Sequence, residues 1–374
     1  MNLEERLSAV FSGRKPDLMP WFADLTYWYR AQLYRNVLPC KYVGERGKIR
    51  LYRDLGCGSH EELYNLPGEI TYFGVRRTYV TEALRDGTVI SEEGYNTQVG
   101  NIVAVTKFVP QSVSSAYIKY AVATRQDLKV LEYLHRNQEF KPDYSLQYDR
   151  LKSWKGLGFV SSLPLRTPFQ RLIVVWAGVT NTIRLMMREP EELEETIQVM
   201  SEADDPIYEA ICGSPAPGVY FGENITSDVI SPLIFEKYHA PYYEKRAKQL
   251  HAAKKIIYVH IDGTLRGVLP LIGKTGVDCA QSVTPSPVGD ISVERLREVA
   301  GPNIILWGGL PGVYFSQLYP EKLLRKMALD VIKCHLKGHK FIMGVADQVP
   351  PDGDIRRVRM ITNILQKNAR YENR

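Results

Sequence analysis

The segment KIIYVHID, residues 255–262, decides the fold class, because it is a short apolar run that ends in polar side chains. Such a run is typical of a strand buried in a parallel sheet. A stretch with helical periodicity follows it, and then another run of the same kind begins. Five further runs share this pattern: GFVSSLP (158–164), GVYFGEN (218–224), VDCAQSV (277–283), NIILWGG (303–309) and KFIMGVAD (340–347).

The alternation of apolar runs with helical stretches predicts parallel βαβ units. With a further strand near PWFADL (20–25), the chain contains at least seven strands of this type. We therefore predict a (β/α)8 barrel of the TIM type. An open doubly wound sheet is the second interpretation, but no GxGxxG motif opens a helix after the first strand, so a dinucleotide site lacks support.

The N-terminal part of the chain has a different character. Residues 2–12 predict a short amphipathic helix, and residues 20–37 are rich in aromatic side chains. Residues 68–109 alternate apolar with polar side chains, with breaks at Asp86-Gly87 and Gly94, which predicts a meander of antiparallel strands. We expect one barrel domain over residues 1–374: 1–155 form an N-terminal elaboration with the first strand and the meander, and 156–374 the main run of βα units.

Composition excludes several classes of protein. The 374 residues are 44% hydrophobic and 24% charged, which is unlike a disordered, collagen-like or coiled-coil chain. The net charge of +6 is spread along the sequence, so it permits an anionic ligand but does not indicate nucleic acid. Five cysteines without a CxxC pair indicate a reducing compartment, and no apolar run is long enough for a membrane span. We expect a cytoplasmic protein that contacts neither nucleic acid nor a membrane.

Polar residues follow several predicted strands, at the end where the active sites of barrel enzymes lie. His260 and Asp262 are two positions apart, so on a strand they would face the same side. We expect catalytic roles for Asp24, Glu223 and Asp347. Side chains predicted to bind substrate are aromatic or carry amides: Trp21, Tyr27, Trp28, Asn224 and Gln281.

At these positions the chain resembles the uroporphyrinogen decarboxylase superfamily, which also contains cobalamin-dependent methyltransferases. The resemblance covers most of the chain. The segments that carry it are ISPLIFEKYHAPYYEKR (230–246), VHIDG (259–263), GVDCAQSVTP (276–285), ILWGGLP (305–311) and GVADQVPPDGD (344–354).

Two departures separate the chain from the true decarboxylases of this superfamily. The decarboxylases bind their tetracarboxylate substrate with an arginine-rich N-terminal segment, where this chain has MPWFADLTYWYRAQ (19–32). They also have a histidine where this chain has Asp347. The resemblance therefore favours the methyltransferase branch.

Methyltransferases of this branch hold zinc with His-x-Cys and a distant cysteine. Carried over by position, these ligands fall on His260, Asp262 and Asp347, so carboxylates replace both thiolates. Glu223 is an additional or alternative ligand, and His239 is a weaker candidate. Imidazole and carboxylate groups are accepted ligands of catalytic zinc.

The ligand change has a chemical meaning. Carboxylates leave zinc a stronger Lewis acid than thiolates do, which suits polarising an ether oxygen. The resemblance thus implies methyl transfer from a small donor, such as a methoxylated aromatic compound, to cobalamin or a corrinoid protein. Two alternatives stay open: a metal-independent decarboxylase or lyase, and a barrel that binds a corrinoid without turnover. The 23 tyrosines suit a substrate cleft or the interface of a homodimer equally well.

Overall fold

The computed structural model describes residues 1–60 and 63–371. The chain folds into two compact units. The barrel unit comprises Met1–Leu66, Tyr144–Pro164 and Ile211–Arg374, and the meander unit comprises Pro67–Asp143 and Leu165–Ala210. The expectation of one domain over residues 1–374, with its elaboration in 1–155, stays a prediction.

The strands are numbered in chain order. They are β1 (Trp21–Phe22), β2 (Tyr64–Asn65), β3 (Gly68–Tyr72), β4 (Arg76–Ala83), β5 (Val89–Thr97), β6 (Gly100–Val109), β7 (Ser114–Lys119), β8 (Gln138–Pro142), β9 (Ser161–Ser162), β10 (Gly218–Ile225), β11 (Ile256–Ile261), β12 (Cys279–Val283), β13 (Ile305–Pro311) and β14 (Phe341–Ala346).

The helices follow the same convention. They are α1 (Leu3–Phe11), α2 (Thr26–Tyr34), α3 (Gly44–Leu55), α4 (Arg125–Arg136), α5 (Ser145–Ser153), α6 (Pro168–Arg171), α7 (Gly178–Arg188), α8 (Pro190–Ala203), α9 (Asp205–Gly213), α10 (Pro232–Ile234), α11 (Ala240–Ala252), α12 (Leu269–Ile272), α13 (Leu296–Ala300), α14 (Glu321–His335) and α15 (Ile355–Asn368). None of the helices within the described ranges has the length and apolar character that a bilayer crossing requires.

The barrel unit contains an eight-stranded parallel sheet in the order β1-β14-β13-β12-β11-β10-β9-β2. Residues just before β2 close this sheet into a ring. Gly58 pairs with Phe22 beside β1, and Ser59 pairs with Gly158 ahead of β9. The Gly58 N–H donates to the Trp21 carbonyl at 2.9 Å, and the Ala23 N–H donates to the Gly58 carbonyl at 3.1 Å. The (β/α)8 prediction is confirmed. Residues 58–59 and β2 form a further part of the barrel wall, the closing segment, which the sequence pattern did not indicate.

The barrel interior is filled mainly by large aromatic side chains. The cluster contains Phe22, Phe159, Tyr220, Tyr258 and Trp307, all buried. The amphipathic helix predicted over residues 2–12 is α1, which buries its apolar face against this cluster. An apolar helix face covers barrel side chains that would otherwise contact water, and this burial stabilises the fold.

The meander unit contains the antiparallel strands expected after residue 68. β4, β5, β6 and β7 form a sheet in sequence order, whereas β3 pairs with β8 and not with β4. The predicted break at Asp86-Gly87 is the turn between β4 and β5, where Gly87 has a φ of +81°. The predicted break at Gly94 is wrong, because Gly94 lies inside β5 opposite Thr78. A Cβ there would come within 2.5 Å of the Thr78 hydroxyl, so close cross-strand contact accounts for the glycine.

The long helix α8 belongs to the meander unit, although it lies within the stretch 156–374 that was expected to carry the βα units of the barrel. It packs against α4 of the same unit. A buried ion pair joins α6 to the C-terminal end of α8, where Arg171 Nη2 contacts Asp204 Oδ2 at 2.7 Å. The meander unit therefore has a core of its own.

Candidate metal centre

Three ligand-bearing side chains meet at the C-terminal ends of the barrel strands. His260 is the penultimate residue of β11, Asp262 follows that strand directly, and Asp347 follows β14. One ligand atom from each lies within 4.8 Å of the other two. Among the described residues, these three side chains form a cluster of the kind that can hold a metal ion, built from histidine and aspartate. Its members are the three positions predicted from the superfamily pattern.

The orientation of the His260 ring is fixed by β12. His260 and Gln281 are paired residues in the β11–β12 register, so their side chains lie side by side. The Gln281 amide oxygen Oε1 accepts a hydrogen bond from Nδ1 of His260 at 2.6 Å. With Nδ1 as the donor, Nε2 carries the free lone pair, which is the state a metal ligand requires.

Gln281 is itself held by two other residues of the barrel interior. Its Oε1 accepts from the Tyr220 hydroxyl at 3.4 Å, and its Nε2 donates to Nε2 of His60 at 3.4 Å. Burial lowers the pKa of His60 to about 3, and the Asp24 carboxylate opposes that shift. His60 is therefore neutral at pH 7 and accepts the amide hydrogen of Gln281. His60 was not predicted from the sequence, because it lies in the closing segment, which carries no strand pattern.

Backbone strain accompanies the cluster. Asn224, Ser282 and Asp347 have φ values of +57°, +72° and +66°, in the left-handed region that residues other than glycine seldom adopt. All three lie at or just beyond the C-terminal ends of barrel strands. Such conformations persist where surrounding contacts impose them, and they concentrate at functional sites.

Ser282 supplies one of these contacts. The pairing of β12 with β13 shifts register between Gln281 and Val283, which leaves Ser282 as a bulge. Its Oγ accepts a hydrogen bond from the Asp347 N–H at 2.5 Å. The bulge thus holds the backbone of one candidate ligand at the place where its carboxylate faces His260.

Electrostatics at the cluster favour a cation. Burial raises the pKa of the Asp347 carboxyl, the neighbouring Asp262 carboxylate raises it further, and His260 acts in the opposite direction. Asp262 is positioned by the backbone, since its Oδ1 accepts from the Gly263 N–H at 2.7 Å. Two carboxylates at this separation repel one another, and a divalent ion between them would remove that repulsion.

Glu223 is fully buried on β10, but it is not a member of the cluster. His239, the weaker candidate ligand, is also fully buried and stacks on Phe235 with ring centroids 5.6 Å apart. Cys279 lies in the core of the barrel, where burial raises the pKa of its thiol well above the usual range. The five cysteines are free thiols, and none of them is in the cluster.

Two of the predicted residues near the first strand, Asp24 and Trp28, form hydrogen bonds with the loop after β14. Asp24 is buried, its Oδ1 accepts from the Thr26 N–H at 2.7 Å, and its carbonyl accepts from the Val349 N–H at 2.9 Å. The Trp28 indole donates to the Gly353 carbonyl at 3.0 Å. The segment around α2 therefore anchors residues 347–354, which carry Asp347.

The remaining predicted substrate-binding residues are not brought together. The Trp21 indole donates to Thr362 of α15 at 3.1 Å, so it lies between a strand and a helix. Tyr27 is half-buried on α2, and Asn224 is exposed at the end of β10. Roles in catalysis or substrate binding stay predictions for these residues.

Comparison with known proteins gives two matches. The family model described as Uroporphyrinogen decarboxylase (URO-D) matches residues 167–367. Among solved structures, the chain is similar to a methyltransferase from Methanosarcina mazei, with 13% sequence identity and a TM-score of 0.62. This likeness covers 98% of the present chain and 99% of the other, and at that identity it shows a shared fold. A search of curated proteins found no match.

Proposed function

This chain belongs to the uroporphyrinogen decarboxylase family, and on that premise we propose that it is a methyltransferase whose methyl donor is activated by a divalent metal ion, zinc by preference. The observation that carries the proposal is the convergence of His260, Asp262 and Asp347 within 4.8 Å. A methyltransferase with this fold supports the choice of reaction class.

The residues present fit such an ion. Catalytic zinc takes three protein ligands and keeps one position open for substrate. The cluster offers one imidazole and two carboxylates, and Gln281 holds the imidazole in the tautomer that binds metal. His260, Asp262 and Asp347 would hold the ion, which supplies Lewis acidity for the oxygen of an ether or methoxy group.

The protein's own residues have separate tasks in this proposal. Gln281 orients the His260 ring, and Ser282 fixes the backbone of Asp347. Asp24 and Trp28 hold the loop that carries Asp347 against α2. Tyr220, whose ring centroid lies 6.2 Å from that of His260, offers an aromatic wall next to the cluster. An aromatic methyl donor suits that wall.

We extend the proposal to the acceptor, a reduced corrinoid that is free or carried by a partner protein. In such a transfer the donor's methyl–oxygen bond would break, and the reduced corrinoid would accept the methyl group by supplying the electron pair of the new bond. The donor would leave as a phenolate or alkoxide, whose charge the ion held by His260, Asp262 and Asp347 would stabilise. The carboxylate ligands support a donor that leaves as an oxygen anion, because they preserve the Lewis acidity of the ion better than thiolates do.

Metal analysis tests the first part of the proposal. Purified wild-type protein should contain about one divalent ion per chain, and the His260→Ala variant should lose it. His251→Ala is the matched control, since His251 is a solvent-exposed residue of α11. A wild-type protein without a stoichiometric ion, or a His260→Ala variant that keeps it, would contradict the proposal.

A methyl-transfer assay tests the second part. Wild-type protein with reduced cobalamin and a panel of methoxylated aromatic compounds should form methylcobalamin, which is followed by its absorbance. Tight corrinoid binding without turnover of any donor would favour a non-catalytic binding barrel.

A metal-independent decarboxylase or lyase is the second candidate function. It is favoured by the direction in which burial shifts the pKa of the Asp347 carboxyl, because a carboxyl with a raised pKa is a better general acid than an ordinary one. Activity of this kind would survive complete removal of metal by a chelator, whereas the proposed methyl transfer would not.

A further inference from the structure

We propose that β4 joins two copies of this chain by antiparallel pairing centred on Tyr79. β4 lies at an edge of the four-stranded sheet of the meander unit. All eight of its residues are exposed, including Tyr79 at 69% and Val80 at 62% on opposite faces of the strand. The occupant of this edge is a second copy of the same strand.

β4 lacks several devices that natural proteins use to protect an edge strand. It pairs with β5 over its whole length, from Arg76 opposite Asn96 to Ala83 opposite Val89, without a bulge. It contains no proline. The opposite edge, β7, is shorter and has an irregular pairing with β6. A long, regular edge with exposed apolar side chains is a template for pairing with another strand.

The hydrogen bonds within the sheet show which backbone groups β4 presents outward. The Leu84 N–H donates to the Thr88 carbonyl at 2.8 Å, at the end of the β4–β5 ladder. Hydrogen-bonded pairs alternate along an antiparallel ladder, so the even-numbered residues of β4 bond to β5. Arg77, Tyr79 and Thr81 therefore direct their N–H and C=O groups away from the sheet.

A two-fold axis through the pair formed by Tyr79 and its counterpart gives one register. In it Arg77 lies opposite Thr81 of the second copy, and about six backbone hydrogen bonds form, two for each hydrogen-bonded pair. Arg76 then lies opposite Glu82 of the second copy, and by symmetry this ion pair occurs twice. Opposite charges that face each other across strands are stabilising.

The two charged groups are available for this contact. Within the described part of the chain, neither the Arg76 guanidinium nor the Glu82 carboxylate takes part in an ion pair, and both residues are exposed. Arg77, in contrast, pairs with Glu93 of β5 at 2.6 Å. Shifting the axis to Val80 would place Arg76 opposite Leu84 and leave both charges unmatched, so electrostatics selects the register centred on Tyr79.

Charge reversal tests this register with the full-length chain. Sedimentation velocity should show a dimer for the wild type. Arg76→Glu and Glu82→Arg should each weaken dimerisation about tenfold or more, because a repulsive pair then occurs twice. The double variant should restore the dimer, and Lys119→Glu on β7 should leave it unchanged. A monomeric wild type at all concentrations, or single variants that dimerise as the wild type does, would overturn the proposal.

Cross-linking gives a second measurement that does not depend on the strength of the dimer. In a Cys40→Ser background, which removes the exposed native thiol, Tyr79→Cys should form a disulfide-linked dimer. Directly opposed residues of a hydrogen-bonded pair have Cα atoms about 5.5 Å apart, within disulfide range. Thr81→Cys should not cross-link, because its counterpart lies four residues along the strand. Equal cross-linking of both variants, or none with Tyr79→Cys, would also overturn the proposal.

Discussion

Gln281 determines which ring nitrogen of His260 has an available lone pair, since its amide oxygen accepts a hydrogen bond from Nδ1 at 2.6 Å. Gln281→Leu keeps much of the side-chain volume but removes that acceptor. Loss of such an outer partner lowers metal affinity by about 10- to 100-fold. We expect a loss of this size in competition with a chromogenic chelator.

Gln281→Glu is the matched control, because a carboxylate oxygen at the same place still accepts from Nδ1. It should retain most of the metal affinity. Nitrogen NMR of His260 reports the ring tautomer, which a change in protein stability alone would not alter. The Gln281→Leu variant should show a mixture of the two tautomers. Unchanged affinity and a single tautomer in Gln281→Leu would show that the ring is oriented by something else.

Single residues show how far the site could be predicted from sequence. His260, Asp262 and Asp347 could be found because the superfamily resemblance implied metal ligands at these positions. The ends of parallel strands meet at one mouth, and the structure brings the three side chains within 4.8 Å. The Trp21 side chain faces α15 and not the barrel interior. Successive side chains of a strand face opposite sides, and a strand of two residues is too short for its sequence to show which side each one faces. His60 could not be found, because its contact with Gln281 joins residues 221 positions apart.

At the scale of elements, α1 is held to the chain that follows it by a charged contact. Arg6 donates to both carboxylate oxygens of Asp17, at 2.7 and 3.0 Å, and the N-terminal amine lies 3.3 Å from Oδ2. The hydrogen bond and charge of Arg6 lower the pKa of Asp17 from 3.8 to about 2. α1 in turn covers the aromatic interior of the barrel.

This contact predicts a pH-dependent contribution to stability. Because the pKa of Asp17 is lower in the folded state, the contribution is complete above about pH 4 and is lost as the pH falls toward 2. Asp17→Asn should therefore unfold at a lower temperature than the wild type at pH 5, and the difference should shrink strongly by pH 2, where Asp17 is half protonated in the folded state. The effect should stay below about 1 kcal/mol, since the pair is solvent-accessible.

Thermal unfolding followed by circular dichroism at several pH values measures this difference. Asp228→Asn is a suitable control, because the Asp228 carboxylate forms no ion pair among the described residues. A gap between Asp17→Asn and wild type that stays constant from pH 5 to pH 2 would refute the assignment.

Elements with a clear period were predicted well, and those without one were not. The apolar runs at 255–262 and 340–347 contain β11 and β14, because both faces of a strand in a parallel sheet are buried. α8 lies within residues 156–374, the predicted run of βα units, but it packs in the meander unit. Amphipathic periodicity shows that one face of a helix is buried without showing its partner. In the closing segment the described residues form single bridges at Gly58 and Ser59 and the two-residue strand β2, too few for any period.

At the scale of the whole molecule, the fold persists although the sequence has changed. The chain and the Methanosarcina mazei methyltransferase share 13% of their residues, yet the likeness spans nearly all of both chains. Cores tolerate many substitutions when volume and patterning are kept, so a shared fold does not require shared site residues. Function must accordingly be argued from the ligand cluster and not from the fold alone.

Closure of the barrel ring depends on one residue without a side chain. Gly58 lies so close to β1 that a Cβ would come within 2.5 Å of the Phe22 ring. That ring is buried and packs edge-on against Trp307 at 5.3 Å, so it has little room to move. Gly58→Ala should therefore destabilise the barrel by about 1–3 kcal/mol, the usual effect of overpacking, as measured by urea unfolding.

Gly338→Ala separates this steric effect from the general effect of replacing glycine. No atom lies within 4 Å of the position that its Cβ would take, so the substitution should be neutral or slightly stabilising. Phe22→Leu combined with Gly58→Ala should recover part of the loss, because the smaller side chain leaves room for the new methyl group. If Gly58→Ala and Gly338→Ala unfold at the same urea concentration, the close approach of residue 58 to β1 does not limit closure of the barrel. The backbone hydrogen bonds of Gly58 with Trp21 and Ala23 would then be enough to hold the ring together.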